Sequence, residues 1–81
     1  MTAINTENYL ISLGLLQYPS FMGTTVKAYS RPYYDGLIYV HQVTDAVTFG
    51  DSYDDSRPLD LQTCLFNLHI LVPIKREKIQ L

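Results

Sequence analysis

The chain has 81 residues, of which 47% are hydrophobic and 17% charged. This composition excludes an intrinsically disordered chain, and the length allows one small core, because such a domain buries only about 60–65% of the surface that its unfolded form exposes. The formal net charge of −2 excludes an overall field strong enough to attract nucleic acid or an anionic membrane. We therefore expect one domain over residues 1–81.

The N-terminal region contains a predicted short helix. Asn5 and Thr6 are both suitable N-caps, and Glu7 suits the positive end of the helix dipole. These residues predict a helix from about Thr6 to near Leu13.

The end of this helix has a C-cap signature. Gly14 can adopt the left-handed conformation at C′, with Leu15 folding back on Leu10. Residues 17–23 contain proline, serine and glycine and are interpreted as a connector.

A β-hairpin is predicted next. Residues 24–34 and 37–48 are rich in β-branched and aromatic side chains, and Asp35-Gly36 between them favours a tight turn. A strict two-residue turn would require Pro32 to donate a backbone hydrogen bond that it lacks. We expect either a bulge or a longer loop over residues 32–36, and in both cases a sheet edge near the tip of the first strand.

The second half of the chain contains a predicted acidic surface loop and one ambiguous segment. Residues 50–58 are polar and turn-prone, with three aspartates. Residues 62–72 alternate as in a strand, but their leucines also form a helical stripe. We favour a strand because Thr63, Phe66 and Ile70 are weak helix formers, with a helix as the alternative.

The predicted fold is α+β: a short N-terminal helix packed on a small antiparallel sheet of hairpin and C-terminal strand.

The sequence predicts no enzyme, catalytic residue, cofactor or metal site. Cys64 lies five residues from His69, without the geometry of an activated thiolate, and His41 has no neighbouring metal ligand. Nucleotide-binding and acyl-transfer motifs are absent. A single cysteine, no signal-peptide pattern and no apolar run of about 18 residues favour a reducing, cytoplasmic location, in an infected host cell if the protein is viral, away from membranes.

An alternating face of the hairpin suggests one binding mode. An unbroken strand would place two cations and two aromatic rings on one side, those of Lys27, Tyr29, Arg31 and Tyr33. Surfaces that combine cations with aromatic rings are typical of proteins that bind single-stranded nucleic acid. Pro32 argues against this platform, so nucleic-acid binding is an alternative.

A protein interface accounts for the same residues better, because tyrosine and arginine are common at binding hot spots. The predicted partner-binding residues are Arg31, Tyr33 and Tyr34 at the hairpin tip, and Asp51, Tyr53, Asp54 and Asp55 in the acidic loop. The acidic charges would steer a basic partner towards the loop. The sequence thus predicts a non-catalytic protein-interaction module, an inhibitor or adaptor of phage or viral type. A structural subunit of a homo-oligomer or viral complex is the other alternative, since a small sheet exposes its edges.

Overall fold

The computed structural model describes residues 2–18 and 25–71. Within them the chain forms two helices and one antiparallel sheet, whose five strands lie side by side in sequence order. The elements in chain order are α1 (Ala3–Ser12), β1 (Leu16–Gln17), β2 (Val26–Ser30), β3 (Leu37–His41), β4 (Val47–Gly50), β5 (Arg57–Pro58) and α2 (Leu61–Asn67). The predicted α+β class is confirmed. Part of the predicted connector over residues 17–23 lies outside the described residues, and Gln17 belongs to β1.

Helix α1 begins earlier than predicted. Its N-cap is Thr2, whose side chain accepts a hydrogen bond from the Asn5 amide, while Thr6 is buried and donates to the Thr2 carbonyl. The Ala3 amide donates to Asp45 Oδ1 at 2.6 Å. Asp45 lies in the β3–β4 turn, so this tertiary contact helps to satisfy the start of the helix in a way that local capping rules do not show.

The predicted end of α1 is confirmed. Gly14 has a φ of 93°. Its amide donates to the Ile11 carbonyl, and the Leu15 amide donates to the Leu10 carbonyl. These two bonds define a Schellman motif, and Leu10 and Leu15 pack together in the core.

The preference for a C-terminal strand is wrong, and the helical alternative is right. Residues 61–67 form α2, and Val72 lies outside the described residues. Asp60 is the N-cap and accepts hydrogen bonds from the Thr63 amide and hydroxyl at 3.0 and 2.6 Å. Three members of the leucine-rich helical stripe are buried: Cys64, Leu65 and Leu68. The cap and the stripe together outweigh the weak helix propensities.

Of the two alternatives, a bulge or a longer loop, the hairpin has the longer loop. Tyr29 pairs with Ile38, and six residues, 31–36, connect β2 to β3. Pro32 therefore lies outside the sheet, where its missing amide proton costs no strand hydrogen bond. The expected sheet edge at β2 is wrong, because Leu16 of β1 pairs with Ser30.

Both helices pack on one face of the sheet. The core on that face contains Leu10, Leu15, Tyr29, Ile38, Val40, Cys64, Leu65 and Leu68. A smaller cluster on the opposite face contains Val26, Ala28 and Tyr39. The register also fixes which loops are neighbours, and that arrangement positions the candidate site.

Candidate functional site

All seven predicted partner-binding residues emerge from one end of the sheet, here called the loop end. Leu37, the first residue of β3, pairs with Gly50, the last residue of β4. Residues 31–36 (the hairpin tip) precede Leu37, and residues 51–56 (the acidic loop) follow Gly50. Since neighbouring strands are about 4.8 Å apart, the two loops leave the sheet from adjacent positions. The fold thus brings two patches that are separated in sequence to one end of the sheet.

Arg31 anchors the hairpin tip to α2. Its Nη1 donates to the Leu68 carbonyl at 2.6 Å and to the His69 carbonyl at 2.9 Å. These carbonyls lie at the C-terminal end of α2, where the helix dipole places partial negative charge. Charge-assisted bonds of this kind are stronger than neutral ones. Arg31 is therefore mainly a positioning residue of the tip.

The rings of Tyr34 and His69 pack beside the Arg31 anchor. The Arg31 guanidinium lies 4.2 Å from the centroid of the Tyr34 ring, and Tyr34 lies 5.2 Å from the His69 ring at an interplanar angle of 40°. His69 occupies the C′ position of α2 with a φ of 61°. The Tyr34 amide donates to the Arg31 carbonyl at 3.1 Å, which closes a turn around Pro32 and Tyr33.

Tyr33 stands at the top of that turn. It has a φ of 73°, and its side chain is fully exposed. A left-handed conformation costs a residue with a Cβ atom about 1–2 kcal/mol, and the surrounding structure must impose it. On the other side of the tip, a Cβ atom added to Gly36 would lie 2.5 Å from the Phe49 ring, so the tip packs closely on the sheet there too. The fold holds the backbone of a fully exposed tyrosine in a strained conformation.

A groove separates the hairpin tip from the end of α1. Its volume is about 420 Å³. Leu13 and Leu15 line the α1 side, Tyr33 and Tyr34 line the tip, and Ile70 lines the side that follows α2. Sequence reasoning missed Leu13, Leu15 and Ile70 as site residues, because their apolar character also fits the core and their neighbours at the groove are distant in sequence.

The acidic loop is shaped by hydrogen bonds within itself. The Ser52 hydroxyl donates to Asp55 Oδ2 at 3.3 Å and accepts from the Asp55 amide at 3.4 Å. The Ser56 hydroxyl donates to the Tyr53 carbonyl at 2.7 Å. The three aspartates of the loop, Asp51, Asp54 and Asp55, are exposed. They can meet a cationic partner without displacing a core residue.

The Tyr53 ring packs against other aromatic rings of the fold. Its ring makes an edge contact with Tyr39 at 5.4 Å and lies 5.9 Å from the His41 ring. Tyr39 lies on the face of the sheet opposite the helices and is only 1% exposed. Burial raises the pKa of Tyr39, and the charges of Tyr18 and Asp51 add to the effect. Tyr53 remains 45% exposed, so part of its surface is available for binding.

The predicted nucleic-acid platform is not an exposed face. Tyr29 is 1% exposed beneath α1, and its hydroxyl donates to Glu7 Oε1 at 3.3 Å. Burial, followed by the charge of Glu7, raises the pKa of Tyr29 to about 12. Arg31 points towards α2. The row of exposed rings and cations that this alternative requires is therefore not formed, because Tyr29 is buried in the core.

Cys64 is buried in the core. Burial, followed by the charge of Asp60, raises the pKa of its thiol to about 12, so the thiolate is strongly disfavoured at neutral pH. Over residues 2–18 and 25–71, no three histidine, cysteine or acidic side chains come together as a metal site.

Neither helix in the described part of the chain has the length and apolar character needed to cross a membrane. No family model matches the chain, and no curated protein or solved structure shows detectable similarity to it.

Proposed function

We propose that this chain is a non-catalytic protein-binding module that contacts its partner with the loop end of the sheet. The observation that carries the proposal is Tyr33, a fully exposed aromatic residue held at a φ of 73°. Neither burial nor a favourable backbone conformation accounts for a tyrosine there, whereas strained residues cluster at binding sites. Binding is the role that best fits such a residue.

The rigidity of the tip supports this proposal. Arg31 fixes the tip to the end of α2, and Gly36 packs on Phe49. A tyrosine whose backbone is already held in place loses less conformational entropy on binding than one on a mobile loop, so more of its contact energy appears as affinity. Tyrosine on a preorganised loop is a frequent hot spot for this reason.

The acidic loop supplies the second part of the proposed interface. It leaves the same end of the sheet as the tip, and its carboxylates are exposed, so they would lie at the rim of such an interface. Rim charges mainly accelerate encounter with an oppositely charged partner and exclude partners of like charge. A small module with these properties acts by occupying or bridging a partner surface, which is the action of an inhibitor or adaptor.

A peptide selection tests this proposal. A random peptide library is panned against the full chain, and the enriched peptides are then tested against two variants. Tyr33→Asn removes the ring while keeping a residue that tolerates positive φ. Val43→Ala is the control, since Val43 is 79% exposed in the β3–β4 turn at the opposite end of the sheet.

We expect enriched peptides to bind Val43→Ala as they bind the original chain and to bind Tyr33→Asn about tenfold or more weakly, as for a hot-spot tyrosine. Circular dichroism checks that both variants remain folded. Equal binding to all three proteins, or no enrichment at all, would count against a binding role for the loop end.

A further inference from the structure

We infer that the groove between α1 and the hairpin tip binds a segment of a partner protein in which an aspartate or glutamate lies next to an apolar side chain, with the carboxylate bound to Arg31. This inference rests on the proposed binding function and specifies the chemistry of the bound segment. Two features of the described residues support it. Arg31 keeps unused hydrogen-bond donors, and it is the one charged residue among those that line the groove.

The guanidinium of Arg31 has more donors than the fold uses. A guanidinium carries five N–H groups, and the bonds from Nη1 to the Leu68 and His69 carbonyls account for the two on that nitrogen. Within residues 2–18 and 25–71, its other electrostatic contact is the face of the Tyr34 ring, and no carboxylate pairs with it. The N–H groups on Nε and Nη2 are therefore left without a partner in that part of the chain.

These unused donors match a carboxylate. Nε and Nη2 form a fork whose two N–H groups can bind both oxygens of a carboxylate, and such charge-assisted bonds are stronger than neutral ones. Arg31 is only partly buried, so a bound segment can reach it. A lysine or arginine at the same place would meet a like charge. Arg31 thus favours an acidic side chain.

The position of Arg31 places that side chain at the groove. The guanidinium lies over the Tyr34 ring, and both Tyr34 and Ile70 line the groove. The α1 side is formed by the aliphatic side chains of Leu13 and Leu15. Binding sites of about this volume, 420 Å³, commonly combine apolar walls with a few polar groups that orient the ligand. A segment with one carboxylate beside one apolar side chain uses both kinds of surface.

The helix ends beside the groove do not cancel this preference. The end of α2 carries a partial negative charge of about half an elementary charge, against the full positive charge of the Arg31 guanidinium that binds it. At the end of α1, two carbonyls already accept hydrogen bonds from the amides of Gly14 and Leu15. The donors that remain for a ligand at this wall are those of Arg31.

The acidic loop does not contribute to the groove. None of its residues, 51–56, lines the wall, so their carboxylates do not directly oppose an acidic side chain at Arg31. The proposed interface is therefore mixed in charge, with an acidic residue of the partner at Arg31 and basic residues where the partner faces the acidic loop. Charge patterns of this kind reject partners in the wrong register.

Four synthetic peptides with blocked ends and uncharged flanks test this inference by NMR titration of the full chain. The first contains a glutamate between two leucines. The second has glutamine and the third has lysine in place of the glutamate, and the fourth has serine in place of both leucines. We expect the first peptide to bind, the second to bind about fivefold more weakly, and the third and fourth to bind about tenfold or more weakly.

The Nε–H signal of Arg31, assigned by its loss in Arg31→Met, locates the carboxylate. We expect the glutamate peptide to shift this signal together with the amide signals of Gly14, Leu15 and Tyr34. The glutamine peptide is expected to shift the amide signals and to leave the Nε–H signal nearly unchanged. An unshifted Nε–H signal with the glutamate peptide, or equal affinity of the glutamate and glutamine peptides, would overturn the inference.

Arg31→Met also separates the charge contact from the shape of the tip. Because the substitution loosens the tip, we expect it to weaken every peptide, and the informative quantity is the ratio of the affinities for the glutamate and glutamine peptides. We expect this ratio to fall from about five to about one, and to stay at about five in the remote control Val43→Ala. An unchanged ratio in Arg31→Met would overturn the inference.

Arg31→Lys is the second variant, measured in case Arg31→Met does not fold by circular dichroism. It keeps the positive charge but lacks the two-pronged donor, so we expect the ratio to fall about twofold. A ratio equal to that of the original chain would assign the preference to something other than the guanidinium and overturn the inference.

Failure of this inference is distinguishable from failure of the proposed function. Library peptides that require Tyr33 but no acidic residue would retain the binding function and reject a carboxylate at Arg31. Two other occupants give their own results. A dimer abolished by Tyr33→Asn would identify a second copy of the chain, and peptide binding seen only after Glu77→Gln would identify the chain's own C-terminal segment. Either result would overturn a partner protein as the occupant.

Discussion

The hairpin tip and the acidic loop leave the same end of the sheet, but they are held in different ways. The tip depends on a contact across 37 residues, from Arg31 to the Leu68 carbonyl of α2. The loop depends on bonds that span three residues, such as those between Ser52 and Asp55. Long-range contacts exist only when the whole fold is formed, whereas local turns need only their own segment.

This difference assigns different roles to the two patches. The tip has a fixed shape, which suits recognition of one partner geometry. The Tyr53 ring of the acidic loop contacts Tyr39 and lies near His41 on the sheet, while the carboxylates of the loop are exposed and act at a distance. We infer that the tip provides specificity and the loop provides attraction.

Among the variants that separate the tip from the loop, Arg31→Met is expected to change the free energy of unfolding most. The substitution keeps the length and apolar stem of the side chain but removes the donor to Leu68 and His69 and the cation over Tyr34. Charge-assisted hydrogen bonds contribute about 1.5–3 kcal/mol, and we expect a loss of about 2 kcal/mol in the free energy of unfolding, measured in urea.

Arg57→Met is the matched control, because Arg57 is exposed on β5, and surface substitutions usually change stability by less than about 0.5 kcal/mol. Equal stability of the two variants would mean that the tip is held by something other than the guanidinium.

The parts of this structure that local chemistry determines were predictable. Gly14 at the end of α1 needs only its own backbone conformation, and Pro32 alone was enough to predict either a bulge or a longer loop in place of a regular two-residue hairpin turn. The helix α2 was also marked locally, since Asp60 followed by Thr63 is a capping arrangement, but the alternation of apolar and polar residues obscured it. Short apolar runs are ambiguous between strand and helix for this reason.

The candidate site was predictable only in part. The two patches were predicted from their tyrosines and aspartates, but their placement at one end of the sheet follows from the register. The anchoring role of Arg31 required knowing that α2 is a helix and that it ends beside the tip. The burial of Tyr29 beneath α1 removed a surface that strand alternation had suggested. Tertiary placement, which no local pattern contains, decided each of these outcomes.

Tyr53→Ala tests whether the loop depends on the fold through one ring. The substitution removes the edge contact with Tyr39, a ring pair that contributes about 0.5–1.5 kcal/mol beyond its buried area. We expect a loss of about 1–1.5 kcal/mol in the free energy of unfolding by urea denaturation. Tyr53→Phe keeps the ring and is expected to lose less than Tyr53→Ala. Equal losses would assign the stabilisation to the hydroxyl group instead.

The smallest expected effect concerns the helix end that holds the tip. Gly14 and His69 occupy the same C′ position with φ values of 93° and 61°. A Cβ atom at Gly14 would meet nothing within 4 Å, so Gly14→Ala measures the cost of the left-handed backbone conformation alone. The expected loss is about 1 kcal/mol in the free energy of unfolding.

His69→Gly relieves the same backbone strain but removes the ring that packs on Tyr34. We expect a net gain of about 0.5 kcal/mol, measured in urea, with weaker binding of peptides that require Tyr33. A net loss of stability would show that the packing of the His69 ring on Tyr34 contributes more than the backbone strain at His69 costs.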